Sequence, residues 1–235
     1  MGQIEGQFVI VAGQHSTLRD VAVKRCEAEG AKVVVTEASA DAVRKAAEAE
    51  GKLDAIVCVL RGGEKWAPFA DGTGDSLADM LGQVTAIGDA LRAAYPFLKA
   101  SRGRGVTVCS LHGPTAFAHV VPTVTADMAL QGLTRAVGVE WAKDDIQVNC
   151  LIPSALDVPE FRKFYDAHKA DVDHRIENMA MHRLGDPMED FGGAMMMLLS
   201  DEACFLVGHP VYVDGGQHLV APVFEPGTQF AQLRK

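Results

Sequence analysis

The chain has 235 residues, a formal charge of −9 and an ordinary globular balance of 48% hydrophobic and 23% charged residues, so one domain with a large core accommodates it. Acidic and basic residues are interspersed, which argues against nucleic acid or an anionic membrane as the main partner. No apolar run reaches the ~18 residues of a membrane span, and no basic segment leads into an apolar one near the start, so a cytoplasmic protein without export or membrane insertion is expected.

Apolar runs alternate with segments of helical period in chain order, which predicts an α/β fold. Phe8–Ala12 reads as a central strand buried on both faces. Leu18, Val21, Ala22, Arg25 and Cys26 fall at helical spacing, and Gly30 is a natural stop. Lys32–Thr36 is a second strand, Ala40–Ala49 an Ala/Glu/Lys helix and Ala55–Leu60 a third strand. A long helix is predicted over Ser76–Lys99, bent near Gly82 or Gly88, then a strand over Gly105–Cys109 and a helix over Val124–Lys143. Gln147–Ile152 is a strand closed by Pro153. Glu160–Met181 is polar and irregularly helical, Met188–Leu199 is a helix, and Val211–Val213 is a last strand. A lid-like insert is therefore expected over about 157–182, with an extended tail over 220–235. Cys26, Cys58, Cys109, Cys150 and Cys204 form no C-x-x-C pair and read as free thiols, mostly buried.

Two stretches carry a family resemblance. The first is Gly132-Leu133-Thr134-Arg135, Glu140-Trp141-Ala142 and Ile146 to Pro153. The second is Arg183 to Pro187, Leu198 to Ala203, Gly208 and Val213-Asp214-Gly215-Gly216. With the strand and glycine at Val9–Gly13, they make the chain resemble the short-chain dehydrogenase/reductase (SDR) family along nearly its whole length. The resemblance implies one Rossmann-like domain over 1–235, a doubly wound parallel sheet with ligands at the carboxyl ends of the strands. Only one helix fits between the second and third strands, so a strand–helix unit of the family is expected to be missing.

The resemblance also exposes departures. The family turns from first strand to first helix through Gly-x-x-x-Gly-x-Gly, because glycine lets the backbone approach a pyrophosphate. Here Gly13 is kept, while Thr17 and Arg19 occupy the other two positions. Arg19 could still attract an anion. Glu37 stands where the family often keeps an acid for the ribose hydroxyls, though a solvated charge near a helix start is the plainer reading. Cys58-Val59-Leu60-Arg61 replaces the family's Asn-Asn-Ala-Gly. No cofactor is therefore expected, and NAD(P) binding is read as lost.

The family's catalytic set is a tyrosine, a lysine one helical turn later, a serine and a helix asparagine. A phenol of pKa ~10 needs such help to exchange a proton near neutrality. Aligned on Gly132-Leu133-Thr134, the tyrosine position is Thr123, the lysine position Asp127 and the asparagine position Val84, while Ser110 is retained at the family's spacing. His112 and His119 follow Ser110, and with Asp127 they could form a nucleophile–base–orienter set, although no Gly-x-Ser-x-Gly elbow is present. His168, His174 and His182 with Asp166, Asp171 and Asp173 have no regular ligand spacing, so no metal is expected.

In the family the helices corresponding to 76–99 and 124–143 pair two subunits into dimers or tetramers, and both are rich in apolar residues here. The leading expectation is a catalytically inactive SDR-like subunit. It would be the structural or regulatory partner of an active NAD(P)-dependent SDR paralogue in a hetero-oligomer, as in a hydroxyacyl-CoA dehydrogenase. The alternatives are an SDR-fold enzyme with replaced chemistry around Ser110, His112, His119 and Asp127, or a small-ligand-binding homo-oligomer.

Overall fold

The computed structural model describes residues 2–63, 65–167, 169–177 and 179–219. The expected tail over 220–235 lies outside them. The six strands among the described residues are β1 (Phe8–Gly13), β2 (Lys32–Thr36), β3 (Ala55–Val59), β4 (Arg104–Val108), β5 (Gln147–Pro153) and β6 (Pro210–Val213). They form one sheet in the order β2-β1-β3-β4-β5-β6, and every pairing is parallel. A single helix joins β2 to β3, so the sheet ends at β2 and the missing unit is confirmed.

The helices follow from the same alternation. They are α1 (Thr17–Ala28), α2 (Ala40–Glu50), α3 (Leu77–Ser101), the short α4 (His112–Thr115), α5 (Val121–Trp141), α6 (Pro159–Ala167), α7 (Lys169–Glu177) and α8 (Gly192–Leu199). Along β1, Phe8, Ile10 and Ala12 pack on the α2, α3 and α5 side, while Val9 and Val11 pack on the α1 and α8 side. A strand facing a helical layer on both sides must be apolar at every position, and all six residues of β1 are buried.

Some elements differ from the expectation. The long helix runs unbroken through Gly82 and Gly88 and tolerates Pro96 near its end. α5 starts at Val121 rather than Val124, because proline suits the first helical turn and Pro122 stands there. The segment Pro187–Phe191 widens into a π-turn before α8, so the predicted helix from Met188 is only partly α-helical. Among the described residues no helix is long and apolar enough to cross a membrane.

The doubly wound order puts the topological switch point between β1 and β3. Gly13 stands there with φ +145°, and a Cβ on it would lie 2.5 Å from the Val59 carbonyl oxygen. Glycine is the one residue that allows this close approach.

Candidate active site at the carboxyl ends of β1 and β4

α5 presents Thr123, Asp127, Gln131 and Thr134 on its buried face at helical spacing. Thr134 and Thr107 of β4 share a buried hydrogen bond of 2.7 Å between their hydroxyls. That contact registers α5 on the sheet, and two turns earlier it brings Asp127 beneath Ser110, just past the end of β4. Gly113 completes the fit. A Cβ there would come within 2.6 Å of the Asp127 Cβ, so only glycine lets α4 approach α5 at this point.

Asp127 is 1% exposed. Its Oδ1 accepts from the Ser110 amide (3.1 Å), and its Oδ2 accepts from the Ser110 hydroxyl (2.5 Å) and the Gly113 amide (3.2 Å). Burial disfavours the charged form and pushes the carboxyl up to about 6, with the three hydrogen bonds offsetting only part of that cost. Ser110 Oγ also lies 2.9 Å from His112 Nδ1 and accepts from the His112 amide at 3.3 Å. Partial burial lowers the His112 imidazole below its ordinary range, which favours the neutral ring. One hydroxyl thus joins a buried carboxyl to an imidazole.

Two proton arrangements fit these contacts. With Asp127 ionised, Ser110 donates to the carboxylate and His112 Nδ1–H donates to Ser110. With Asp127 protonated, the carboxyl donates to Ser110 and Ser110 donates to Nδ1. The array can therefore hold a proton at Asp127 and pass it through Ser110. In a serine–histidine–carboxylate triad the imidazole stands between serine and carboxylate. Here the serine is in the middle, so the expected nucleophile–base–orienter set is corrected.

The other predicted residues fall as follows. His119 is exposed, adopts φ +68°, and contributes its carbonyl oxygen to the Ala67 amide at 3.0 Å. This backbone role replaces the expected place beside Ser110. Thr123 is buried, and its hydroxyl accepts from the Gly63 amide at 3.2 Å, tying the β3–α3 loop to α5. Val84 is buried in the core. Glu37 is exposed just after β2, and Ser39 rather than Glu37 caps α2.

At the β1–α1 turn, Ser16 caps α1 through the Arg19 amide, and the Thr17 and Leu18 amides have no intrahelical acceptor. The Arg19 guanidinium folds back to the Gly13 carbonyl oxygen (3.3 Å) and Asp20 (3.3 Å), and its buried Nε has no hydrogen-bond partner among the described residues. The Thr17 hydroxyl donates to Glu160 Oε1 of α6 at 2.7 Å. Open amides, a fixed cation and an orphaned buried N–H suit an anion. The residues present therefore fit the phosphate end of a dinucleotide, with the Glu160 carboxylate at the same place in this conformation.

Sequence reasoning missed Trp66 and Phe117. Their rings meet the His112 imidazole edge-on, with centroids 5.3–5.8 Å apart. A tryptophan in a polar, glycine-rich loop, outside any apolar period, was the available signal. A cavity of about 370 Å³ lies at the carboxyl ends of β5 and β6, lined by Ser154, Met181, Arg183, Tyr212 and Asp214 among others; none of Ser110, His112 and Asp127 lines it. This cavity has a carboxylate–imidazole pair of its own, with Asp214 Oδ2 2.6 Å from His218 Nδ1, and is separate from the Ser110 array. Among the described residues no three His, Cys, Asp or Glu side chains gather to hold a metal; His168 and the Asp171 side chain lie outside them.

A family model described as enoyl-(acyl carrier protein) reductase matches residues 37–218. Dehydrogenase/reductase SDR family member 4 of the rabbit, Oryctolagus cuniculus, is 29% identical over 224 residues, covering 90% of this chain and 84% of that protein. The ligand-free aldohexose dehydrogenase of Thermoplasma acidophilum superposes with a TM-score of 0.80 at 22% identity, over 95% of this chain and 98% of its own. A structure assigned as an NAD(P)-dependent gluconate 5-dehydrogenase of Beutenbergia cavernae carries NADP at low occupancy. It superposes with a TM-score of 0.76 at 21% identity, over 92% of this chain and 98% of its own.

Two expectations are overturned by these likenesses. The relatives are named as dehydrogenases and reductases, so the reading of a silent, catalytically inactive subunit beside an active paralogue is withdrawn. The expectation that NAD(P) binding is lost is withdrawn as well, because the family binds NAD(P) and a neighbour of the same fold holds NADP. Sequence reasoning scored the two replaced glycines as obstruction, without the charge and open amides that the folded turn brings together.

Proposed function

Because this chain belongs to the short-chain dehydrogenase/reductase family, we propose that it is an SDR-fold oxidoreductase whose proton chemistry has moved from the tyrosine–lysine pair to Asp127, Ser110 and His112. The observation that carries this reading is the Ser110 hydroxyl held between a buried carboxyl that titrates at about 6 and a neutral imidazole. A general acid or base works best with a pKa near the operating pH, and the Asp127 carboxyl meets that condition without a phenol.

A bound nicotinamide dinucleotide would exchange a hydride with the substrate carbon. Gly13, Thr17 and Arg19 would hold its phosphates, and Glu37, exposed just after β2, would bind its ribose hydroxyls. Ser110 binds the substrate oxygen. In the reducing direction the Ser110 proton goes to that oxygen while the Asp127 proton moves to Ser110 Oγ, leaving Asp127 as the carboxylate. In the oxidising direction the same two protons move back. His112 orients the hydroxyl and links the pair to the mouth of the site. Thr123 takes no part in proton transfer and keeps the β3–α3 loop over α5.

The test has two parts: calorimetric titration with NADH and NADPH, and a turnover screen over small alcohols and carbonyls followed by nicotinamide absorbance. Binding with turnover that Ser110→Ala and Asp127→Asn both abolish is the expected result. Turnover that survives both substitutions would remove the relay.

The reading extends to assembly. α3 and α5 pack side by side, and α5 exposes Met128 and Val139 on its outer surface. Burial of that apolar strip between two copies of the chain is the natural outcome. Light scattering that found only monomer at micromolar concentration would refute it.

A further inference from the structure

Trp66 is 52% exposed and Phe69, three residues on, is 63% exposed, yet Gly63, Lys65 and Ala67 beside them are each tied by a backbone amide. The Gly63 amide donates to the Thr123 hydroxyl, the Lys65 amide to Asp75 Oδ2 (3.0 Å), and the Ala67 amide to the His119 carbonyl oxygen. Trp66 sits between these ties. Its ring stands at 88° to His112 and 74° to Phe117, and the last two stand at 74° to each other. Aromatic rings pack well edge to face at these spacings, so the three form flat walls at near right angles. The same imidazole bonds Ser110 through Nδ1. Large apolar surface held open beside a few convergent polar groups is the usual composition of a small-molecule site.

We propose that Trp66 determines the specificity of the Ser110 site, and that the substrate carries its reacting oxygen on, or directly beside, a flat aromatic or alicyclic ring laid against the indole. This inference rests on the oxidoreductase reading for the identity of the reacting oxygen, but the ring contact itself is a binding property. A flat ring gains contact with a rigid wall at little conformational cost, whereas an open chain must be ordered to cover the same area. The corner also favours planarity, since a ring flat on one wall meets the next edge-on.

The experiment compares two ketones of equal carbon number, 1-indanone and 2-nonanone, by calorimetry on the full chain. The wild type is expected to bind 1-indanone about tenfold more tightly, the ratio that ~1.4 kcal/mol of stacking gives. Trp66→Ala should abolish that preference, and Trp66→Phe should keep part of it. Indole emission gives a second readout. The chain has two tryptophans, and Trp141 is buried, so a saturable change on adding 1-indanone should vanish in Trp66→Phe. Circular dichroism and the melting temperature of each variant report that the fold is intact.

Equal or tighter binding of 2-nonanone, an undiminished preference in Trp66→Ala, or no binding of either ketone up to its solubility would each overturn the proposal. Ser110→Ala separates the two readings. If it abolishes turnover but keeps the ring preference, both stand. If turnover persists with the preference intact, the relay fails and the ring wall stands. If turnover is lost while wild type and Trp66→Ala accept both ketones alike, the ring wall fails and the relay stands.

Discussion

The β1–α1 turn and the first turns of α5 both depart from the family's residue pattern, and folding treats the departures differently. At the turn, Thr17 and Arg19 stand at a partly open edge. Arg19 keeps the Gly13 carbonyl and Asp20 as partners, so the replacements leave the turn folded around Gly13. On α5, Thr123 and Asp127 lie one helical turn apart and both are buried, yet one ties the β3–α3 loop to the helix and the other bonds Ser110. Residue type alone removes the old chemistry from a position. Burial and hydrogen-bond partners decide what the position does instead.

The sharpest way to break this comparison is to remove each α5 residue in turn. Asp127→Asn and Ser110→Ala should each lower turnover by about 10²–10⁴, the usual contribution of a positioned acid or base. Thr123→Val, which removes only the bond to the Gly63 amide, should cost less than about tenfold. Steady-state rates at fixed pH check all three, with dinucleotide affinity measured alongside to confirm that only the chemical step has changed. A Thr123→Val loss as large as that of Asp127→Asn would erase the distinction.

The architecture was legible in the sequence because every strand of the sheet interior announces itself as an apolar run, and the single helix between Lys32–Thr36 and Ala55–Val59 left no room for another strand. Ser110 was legible from its spacing. Asp127 was read both as a lost lysine position and as the orienter of a Ser110–histidine set, while its burial and direct bond to Ser110 lay beyond the sequence. Gly113 carried no signal, because its need for a missing Cβ arises from the approach of α4 to α5 and not from a turn. Trp66 was invisible to periodicity, as loop contacts follow no repeat.

The turn offers the next test. Gly13→Ala places a Cβ 2.5 Å from the Val59 carbonyl oxygen at φ +145°, so strain and clash together should destabilise the protein by about 3 kcal/mol. Urea unfolding measures this. A cost under ~1 kcal/mol would mean that β1 and β3 can separate there, and the rigid geometry assigned to the turn would be wrong.

A third outcome of similar size follows from the buried carboxyl. The folded state raises Asp127 from 3.8 to about 6, so it binds that proton more tightly than the unfolded chain. Below pH 3.8 the residue imposes no charge penalty. Between that value and about 6 folding loses stability progressively as pH rises, approaching about 3 kcal/mol above the folded value. The amide that Asp127→Asn introduces would set an N–H against backbone donors and so carries a cost of its own, but one that does not vary with pH. The stability difference between wild type and Asp127→Asn should therefore shift toward the variant across this window. A pH-independent difference would show that Asp127 titrates as an ordinary carboxyl. In the proposed reaction the same titration should make carbonyl reduction fall off, and alcohol oxidation rise, above pH of about 6.

The smallest expected effect concerns what occupies the turn. Glu160 Oε1 accepts from the Thr17 hydroxyl at the N-terminus of α1, the end of a helix that attracts negative charge. A dinucleotide phosphate seated at this helix end would displace that carboxylate or suffer its repulsion. Both costs vanish in Glu160→Ala, so affinity for NADH should rise by about fivefold, equivalent to the ~1 kcal/mol typical of an exposed charge contact. Arg19→Ala should move affinity in the opposite direction by a similar factor. Calorimetry at low and high salt distinguishes a charge effect, which shrinks with screening, from a steric one, which does not. Tighter binding in Glu160→Ala that is insensitive to salt would leave α6 as a physical cover over the turn and remove its electrostatic role.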